Sequence, residues 1–301
     1  MKRIEFTKVV ASGNDFVIIS RLPSAVCRLP SLAKGICDRK FGVGADGLLI
    51  LEKSKIADVK MRIFNADGSE AEMCGNGARS AALYYGHRPK LKIETKAGII
   101  EANVSAEFVR IKLTNPEGYE PGVAIKINDR ELQISSINTG VPHAIIFVEG
   151  IENIDVSNLG RQIRYYESFA PSGTNVDFVE VINDKTIKVR TYERGVEDET
   201  LACGTGAAAA AIVTVYRAQG AGCKNEAPRA KARGFLPACP SGEIPAESIR
   251  GLKAAALKRR DEINVLTQGG EALKVYFKKD DNKISDVWLE GKVKIVYKGE
   301  Y

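Results

Sequence analysis

Along the first half of the chain the apolar positions fall in short runs: IEFTKVV, DFVIIS, LLILEK, VKMRIF, LKIETK, IIEANV and FVRIKL, with turn residues between them. Runs of this length, rich in Val, Ile and Phe, predict β-strands. Helical spacing is confined to a segment near Ser31 to Lys40 and another after Cys74. The second half repeats the mixture, with LQISSIN, HAIIFVEG, VDFVEVI and TIKVRTY as strands and SNLGRQIRYY as a helix capped by Ser157. A further helix starts near Gly204, because Ala207 to Ala211 carry almost no side-chain entropy cost and Ile212, Val213 and Val215 continue an apolar face. After residue 260 the pattern returns to hairpin-like strands. The predicted class is α+β.

The chain also rhymes with itself. Cys74 is followed by Gly75 and Gly77 as Cys203 is followed by Gly204 and Gly206, and each cysteine leads into a helix of small residues. Upstream, RIFNADGSEAE and RTYERGVEDETL each run from a strand through an acidic turn into the cysteine. SGNDFVIIS (12 to 20) and SGTNVDFVEV (172 to 181) form a third echo, each with an Asn before an apolar strand. Two halves from one ancestor explain this economically.

Composition narrows the class. The 301 residues are 44% hydrophobic and 27% charged, which is ordinary for a soluble globular protein and leaves room for two cores. MKRIEFTKVV has no apolar signal region and no run reaches the length of a membrane span, so a cytoplasmic enzyme without membrane association is the expectation. The six cysteines, at 27, 37, 74, 203, 223 and 239, include no CxxC pair, and only His87 and His143 could join them, so no metal site is expected. GVGADG (42 to 47) matches a dinucleotide fingerprint, but a strand follows it where a phosphate-binding helix should start. Residues 223 to 260 read as a proline-rich insertion with nine Lys or Arg against three Glu, a local net charge of +6. With Phe235 as almost its only aromatic, it suits a solvated loop better than a nucleic-acid contact.

The cysteines carry the candidate chemistry. At a helix N-terminus the unpaired amides and the dipole favour negative charge, and a thiol there can fall from roughly 8.5 to about 3.5 to 7.5. A lone cysteine at such a start is more often a packing residue; the second copy changes that balance. A thiolate on one face of an α-carbon and a thiol on the other would invert a stereocentre, and the exposed helix amides would bind the substrate carboxylate. Asn14, Asn65, Asn175, Glu193, Arg194 and His143 lie at strand or loop ends where they could hold the remaining groups of an amino acid. A thiol redox pair is the competing reading from another class, but its partners usually share one CxxC.

GNDFVII (13 to 19), FNADGSEAEMCGNGAR (64 to 79), TGVPHAIIF (139 to 147), GTNVDFVEV (173 to 181) and YERGVEDETLACGTGAAAAA (192 to 211) together resemble the diaminopimelate epimerase family, over nearly all of residues 4 to 218 and the C-terminal strands. The resemblance implies two pseudo-symmetric domains, each a mixed β-barrel-like sheet around a central helix, with the active site in the cleft between them. The first half, 1–120, carries Cys74, with a C-terminal strand from about 290–301 returning to it; the second, 121–289, carries Cys203 and the insertion. The resemblance further implies a homodimer that interconverts LL- and meso-diaminopimelate without a cofactor, Cys74 and Cys203 being the acid/base pair. Gly75, Asn76, Gly204 and Thr205 would present amides to the reacting carboxylate, Asn14 would hold the reacting end, and His143 would assist. Asn65, Asn175 and Arg194 would recognise the distal amino-acid group, and Glu193 an ammonium. Gly47 stands where some members carry Gln, and Val141 where many carry Asn, which leaves open a related racemase or epimerase acting on another amino acid. Arg194 argues against that alternative, since a short substrate would leave its guanidinium without a carboxylate.

Overall fold

The computed structural model describes residues 3–22, 28–86, 88–127, 130–220, 261–280 and 283–301. The 223–260 insertion, His87, Cys27, Cys223 and Cys239 lie outside the described residues. Two compact units divide the chain, one of Met1–Lys112 with Glu290–Tyr301 and one of Leu113–Leu289. No helix among the described residues is long and apolar enough to cross a membrane.

In the first unit, β1 (Glu5–Ala11) and β2 (Asn14–Ile19) form an antiparallel pair, and α1 (Leu29–Cys37) crosses over to β3 (Gly47–Glu52), which lies parallel to β2. β3 pairs antiparallel with β4 (Val59–Asn65), which returns through the short β5 (Glu70–Ala71) to Cys74 and α2 (Gly75–Tyr85). β6 (Lys90–Thr95) then lies parallel to β4, and β7 (Gly98–Ser105) and β8 (Phe108–Lys112) follow as antiparallel neighbours. The last strand of the chain, running Lys283–Glu300, pairs with both β8 and β1 and so closes an eight-stranded barrel. Helix α2 lies inside, packed against β1 to β4 and β6 to β8. Its Gly77, Ala78, Ser80, Ala81 and Ala82 are buried, because only small side chains let a helix sit that close to a sheet on every side.

The second unit retraces this path. After β9 (Glu117–Ile127), β10 (Arg130–Asn138) and β11 (Pro142–Phe147) form the antiparallel pair, and α3 (Val156–Arg164) crosses over to β12 (Asn175–Asn183), parallel to β11. β12 pairs antiparallel with β13 (Thr186–Glu193), and the short β14 (Asp198–Thr200) leads to Cys203 and α4 (Gly204–Ala218). β15 (Glu262–Thr267) lies parallel to β13 and antiparallel to β16 (Ala272–Asp280), and β17 (Lys283–Glu300) ends the chain. Helix α4 packs against β10 to β13, β15 and β16, and Gly206 to Tyr216 are buried without a break. Crossover helices α1 and α3 cover the outer faces: Ile36 packs with Val17, Leu48 and Phe64, and Ile163 with Ile146, Phe178 and Tyr192. Strands covered on both faces read as continuous apolar runs, which is why LLILE and VDFV show no alternation.

Three features differ from the sequence reading. The echo between SGNDFVIIS and SGTNVDFVEV is not a structural equivalence: β2 corresponds in topology to β11, whereas β12 corresponds to β3. The counterpart of Asn175, the first residue of β12, is therefore Gly47, the first of β3. Helix α3 is capped by Asp155, whose carboxylate accepts the Asn158 N–H at 3.1 Å; Ser157 sits within the first turn and donates to Asp198 instead. Strand β9, EGYEPGVAIKI, carries a proline and two glycines that argue against a strand. Its pairing with β10 slips between Ile134 and Ser136 and again between Ser136 and Asn138, and Gly122 and Gly118 occupy those bulges at φ +71 and +62.

Candidate active site

Cys74 is the N-cap of α2. Its backbone is extended (φ −143, ψ 125), its thiol is half-buried, and Sγ accepts the Gly77 N–H at 3.4 Å. One turn into the helix, the fully buried Arg79 donates to Ser12 Oγ and to Asn76 Oδ1, each at 2.6 Å. Asn76 Nδ2 donates to Asn14 Oδ1 at 2.7 Å, and Asn14 Nδ2 donates to Asp46 Oδ2 at 3.1 Å. The chain runs from a guanidinium to a carboxylate, so both carboxamides have one orientation and each keeps one N–H for a ligand. Asp46 is held in turn by Arg39 at 2.7 Å, which also bridges to Asp15 at 2.9 Å, and Lys8 reaches Asp15 at 2.7 Å. Burial works against the charge on Asp15, but the bonds from Arg39 and Lys8 outweigh it and hold the carboxyl well below its usual range. Asn65 ends β4 opposite Gly47, exposed, with Nδ2 donating to Ser69 Oγ at 2.9 Å.

Cys203 caps α4 with the same extended backbone (φ −109, ψ 115), and is buried. Its Sγ lies 3.4 Å from Thr205 Oγ1, and that hydroxyl lies 3.0 Å from His143 Nε2. His143 Nδ1 lies 2.7 Å from Asp177 Oδ2, and Thr191 donates to Asp177 Oδ1 at 2.7 Å; His143 and Asp177 are both fully buried. Asp177 fits against the helix start only because residue 206 is glycine: a Cβ there would lie 2.3 Å from Oδ1. Asn175 Oδ1 accepts the Arg194 N–H at 2.8 Å while Nδ2 donates to the Pro142 carbonyl at 3.0 Å, so Asn175 ties the end of β11 to the turn that presents Arg194. Burial pushes the half-buried Glu193 up from its ordinary carboxyl value.

A lowered thiol is one outcome of the helix start, and it is not the outcome at Cys203. Burial pushes the thiol well above its ordinary value, and the charges of Glu193 and Asp177 push it further; the Gly206 amide only opposes this, as would a proton turned to the sulfur by the Thr205 hydroxyl. A helix dipole contributes about 0.3 to 2 kcal/mol. Desolvating a thiolate beside two carboxylates costs more, so Cys203 is held as the thiol.

The expected residues thus gather into two groups. Asn14 and Asn76 join in one chain behind Cys74, while Cys203, Thr205 and His143 join in another; Asn175 and Arg194 share a bond, and Asn65 is tied only into its own turn. Arg79, Asp46 and Asp177 were not singled out from sequence. A signal for Asp177 exists, since it is a lone carboxylate at a doubly covered position of the apolar run NVDFV.

The diaminopimelate epimerase family model matches residues 6–117 and 135–232. A diaminopimelate epimerase of Aquifex aeolicus is 38% identical over 98% of this chain and 97% of its own length. One of Methanocella arvoryzae is 37% identical over 100% of this chain and 97% of its own length, and one of Archaeoglobus fulgidus is 44% identical over 70% of this chain and 81% of its own. Among solved structures, a phenazine biosynthesis protein of the PhzF family from Bacillus anthracis superposes with TM-score 0.66 at 19% identity, covering 100% of this chain and 99% of its own. A hydroxyproline epimerase from Agrobacterium vitis superposes with TM-score 0.60 at 14% identity, covering 99% and 92%. At those identities the superpositions speak for the fold alone.

Proposed function

The chain belongs to the diaminopimelate epimerase family and is an isomerase acting on diaminopimelate, and from that premise we propose that Cys74 and Cys203 are its acid/base pair. One observation supports this above the rest. Each unit caps its central helix with a reduced cysteine at the same point of the same topological path, and two glycines follow each. A repeat that keeps a thiol at both equivalent helix starts suits a reaction needing one proton removed and one delivered on opposite faces of a carbon.

Cys203, held as the thiol, is the proton donor in the resting protein, and Cys74 is the base. The amides of Gly75, Asn76, Gly204 and Thr205 take the carboxylate of the reacting end and the enolate-like charge that develops on it. Asn14 holds the reacting end through its remaining N–H. Arg194 pairs with the distal carboxylate, Asn65 and Asn175 contribute beside it, and Glu193 faces an ammonium. No pyridoxal phosphate takes part, and the protein works as a cytoplasmic homodimer, each protomer carrying the two units Met1–Lys112 with Glu290–Tyr301 and Leu113–Leu289.

The test follows label from solvent. With LL-diaminopimelate in deuterated water, the base removes unlabelled hydrogen and the exchanged thiol delivers deuterium, so early product carries label while remaining substrate does not. Cys74→Ser and Cys203→Ser each raise the acid's pKa far above neutrality, and each should cost about 10²- to 10⁴-fold in epimerisation. Full activity of Cys203→Ser, or early product without deuterium, would show the scheme to be wrong.

A further inference from the structure

We propose that Asp177 is a positioning residue for the reaction: it fixes His143 with the proton on Nδ1, and through the Thr205 hydroxyl that tautomer keeps the transferable proton on Cys203 Sγ. This rests on the reading of Cys203 as an acid/base residue and adds the groups that set its resting state.

The argument is one of counting protons along a buried chain. The Asp177 carboxylate has none to give, so both of its partners must donate: the Thr191 hydroxyl to Oδ1 and His143 Nδ1–H to Oδ2, each at 2.7 Å. His143 and Asp177 are fully buried, so the pairing is not shared with solvent. With the ring proton on Nδ1, the neutral imidazole offers a lone pair at Nε2, and the Thr205 hydroxyl 3.0 Å away points its only proton there. What Thr205 then turns toward Cys203, at 3.4 Å, is a lone pair, and the thiol donates to it. The other ring tautomer reverses every bond: Nε2–H would donate to Thr205, whose hydroxyl would donate to a thiolate. Asp177 decides between the two.

The groups that face Cys203 within its unit act in the same sense. His143 comes from β11, Asp177 from β12 and Glu193 from β13, while α4 has no acidic residue in its first turn. The charges of Asp177 and Glu193 disfavour a thiolate at this helix start, and the lone pair of the Thr205 hydroxyl accepts from the thiol. Once Cys203 has given its proton to the substrate carbanion, the Thr205 hydroxyl can swing from Nε2 to the new thiolate, giving up one hydrogen bond to make another. One hydroxyl thus serves both states, with the resting bias toward the thiol.

The first test needs no change at the site. The chain has two histidines, so in a His87→Gln background ¹⁵N-histidine NMR reads His143 alone; a protonated Nδ1 and an unprotonated Nε2 are expected near neutral pH. A proton on Nε2, in the other tautomer or in an imidazolium, would overturn the proposal. Next, Thr205→Val keeps the backbone amide and loses the hydroxyl. It should lower kcat by about 10- to 100-fold with KM within about threefold, and Thr205→Ser should recover most of the loss. Equal kcat for the Val and Ser variants would count against the relay. Third, Asp177→Asn removes one charge and releases the tautomer, so the pH midpoint for alkylation of Cys203 by iodoacetamide, followed by peptide mass spectrometry, should fall by about one unit or more. An unchanged midpoint in a folded Asp177→Asn protein would refute the bias. Cys203→Ser separates the two claims: if it remains active the acid/base assignment itself fails, whereas an inactive Cys203→Ser beside unaltered Thr205→Val kinetics condemns only the role given to Asp177 and Thr205.

Discussion

Asn76 Nδ2 donates to Asn14 Oδ1 at 2.7 Å, joining the start of a buried helix to the first residue of a strand 62 positions earlier. Because Arg79 occupies Asn76 Oδ1 and Asp46 occupies Asn14 Nδ2, neither carboxamide can flip without setting like groups against each other. Asn76→Asp places a carboxylate oxygen against Asn14 Oδ1, and a turned Asn14 would then face Asp46 with its oxygen. The expected cost is about 1 to 3 kcal/mol of stability with a fall in kcat/KM, read by denaturant titration and steady-state assay. A variant with unchanged kcat/KM would show that Asn14 orientation does not matter to turnover.

Asp15 gives the first unit a pH-dependent contribution whose sign is fixed by its lowered carboxyl value. The unfolded chain takes up this proton near pH 3.9 and the folded chain only in stronger acid, so the stabilisation is complete above about pH 5 and is lost as pH falls. Asp15→Asn should therefore melt lower than the parent at pH 7, and the gap should narrow as the buffer is taken below about pH 4. A gap that stays constant from pH 7 to pH 3 would rule out the linkage.

Two glycines that look alike in sequence should differ sharply on substitution. A Cβ on Gly206 would lie 2.3 Å from Asp177 Oδ1, whereas one on Gly75 would meet nothing nearer than Ile111 Cδ1 at 3.5 Å. Gly206→Ala should cost about 1 to 3 kcal/mol or more as the carboxylate is displaced, and Gly75→Ala should leave the melting temperature within a degree or two. Equal melting temperatures for the two variants would mean that Asp177 moves aside freely.

Arg194 is held by its own backbone N–H on Asn175 Oδ1 at 2.8 Å, which fixes its main chain without engaging the guanidinium. Arg194→Ala should raise KM for diaminopimelate sharply and lower kcat as well, since remote binding energy places the α-carbon. Arg194→Lys should rescue little, because an ammonium cannot form the planar two-point contact. Asn175→Ala, which loosens the turn but keeps the guanidinium, should give a smaller KM increase. Near-parental kinetics for Arg194→Ala would move distal recognition to another residue.

Read alone, the chain determined most of its strands, the four α-helices of the described residues and the repeated cysteine, because strand and helix periods and a glycine-flanked helix start are local properties carried by neighbouring residues. It also carried the pairing of Cys74 with Cys203 as equivalents, since the repeat survives as matching letters. Tertiary structure decided what lies between those landmarks. The echo of Asn14 with Asn175 dissolved, because equivalence within a sheet is set by which strand runs beside which, and β12 takes the place of β3 rather than of β2. Asp155 capped α3 ahead of Ser157 because the cap belongs to the residue whose side chain meets the free amides, and the chain enters the helix two residues earlier than the motif suggested. The resting state of Cys203 was beyond local reading altogether: the helix start argues for a thiolate, but burial and carboxylates from residues 177 and 193 reverse the balance. Those groups are 26 and 10 positions away in sequence and act on the sulfur only because two neighbouring strands, β12 and β13, bring them to the same helix end. Charge and desolvation act through space, so the state of a thiol follows from the folded arrangement that surrounds it.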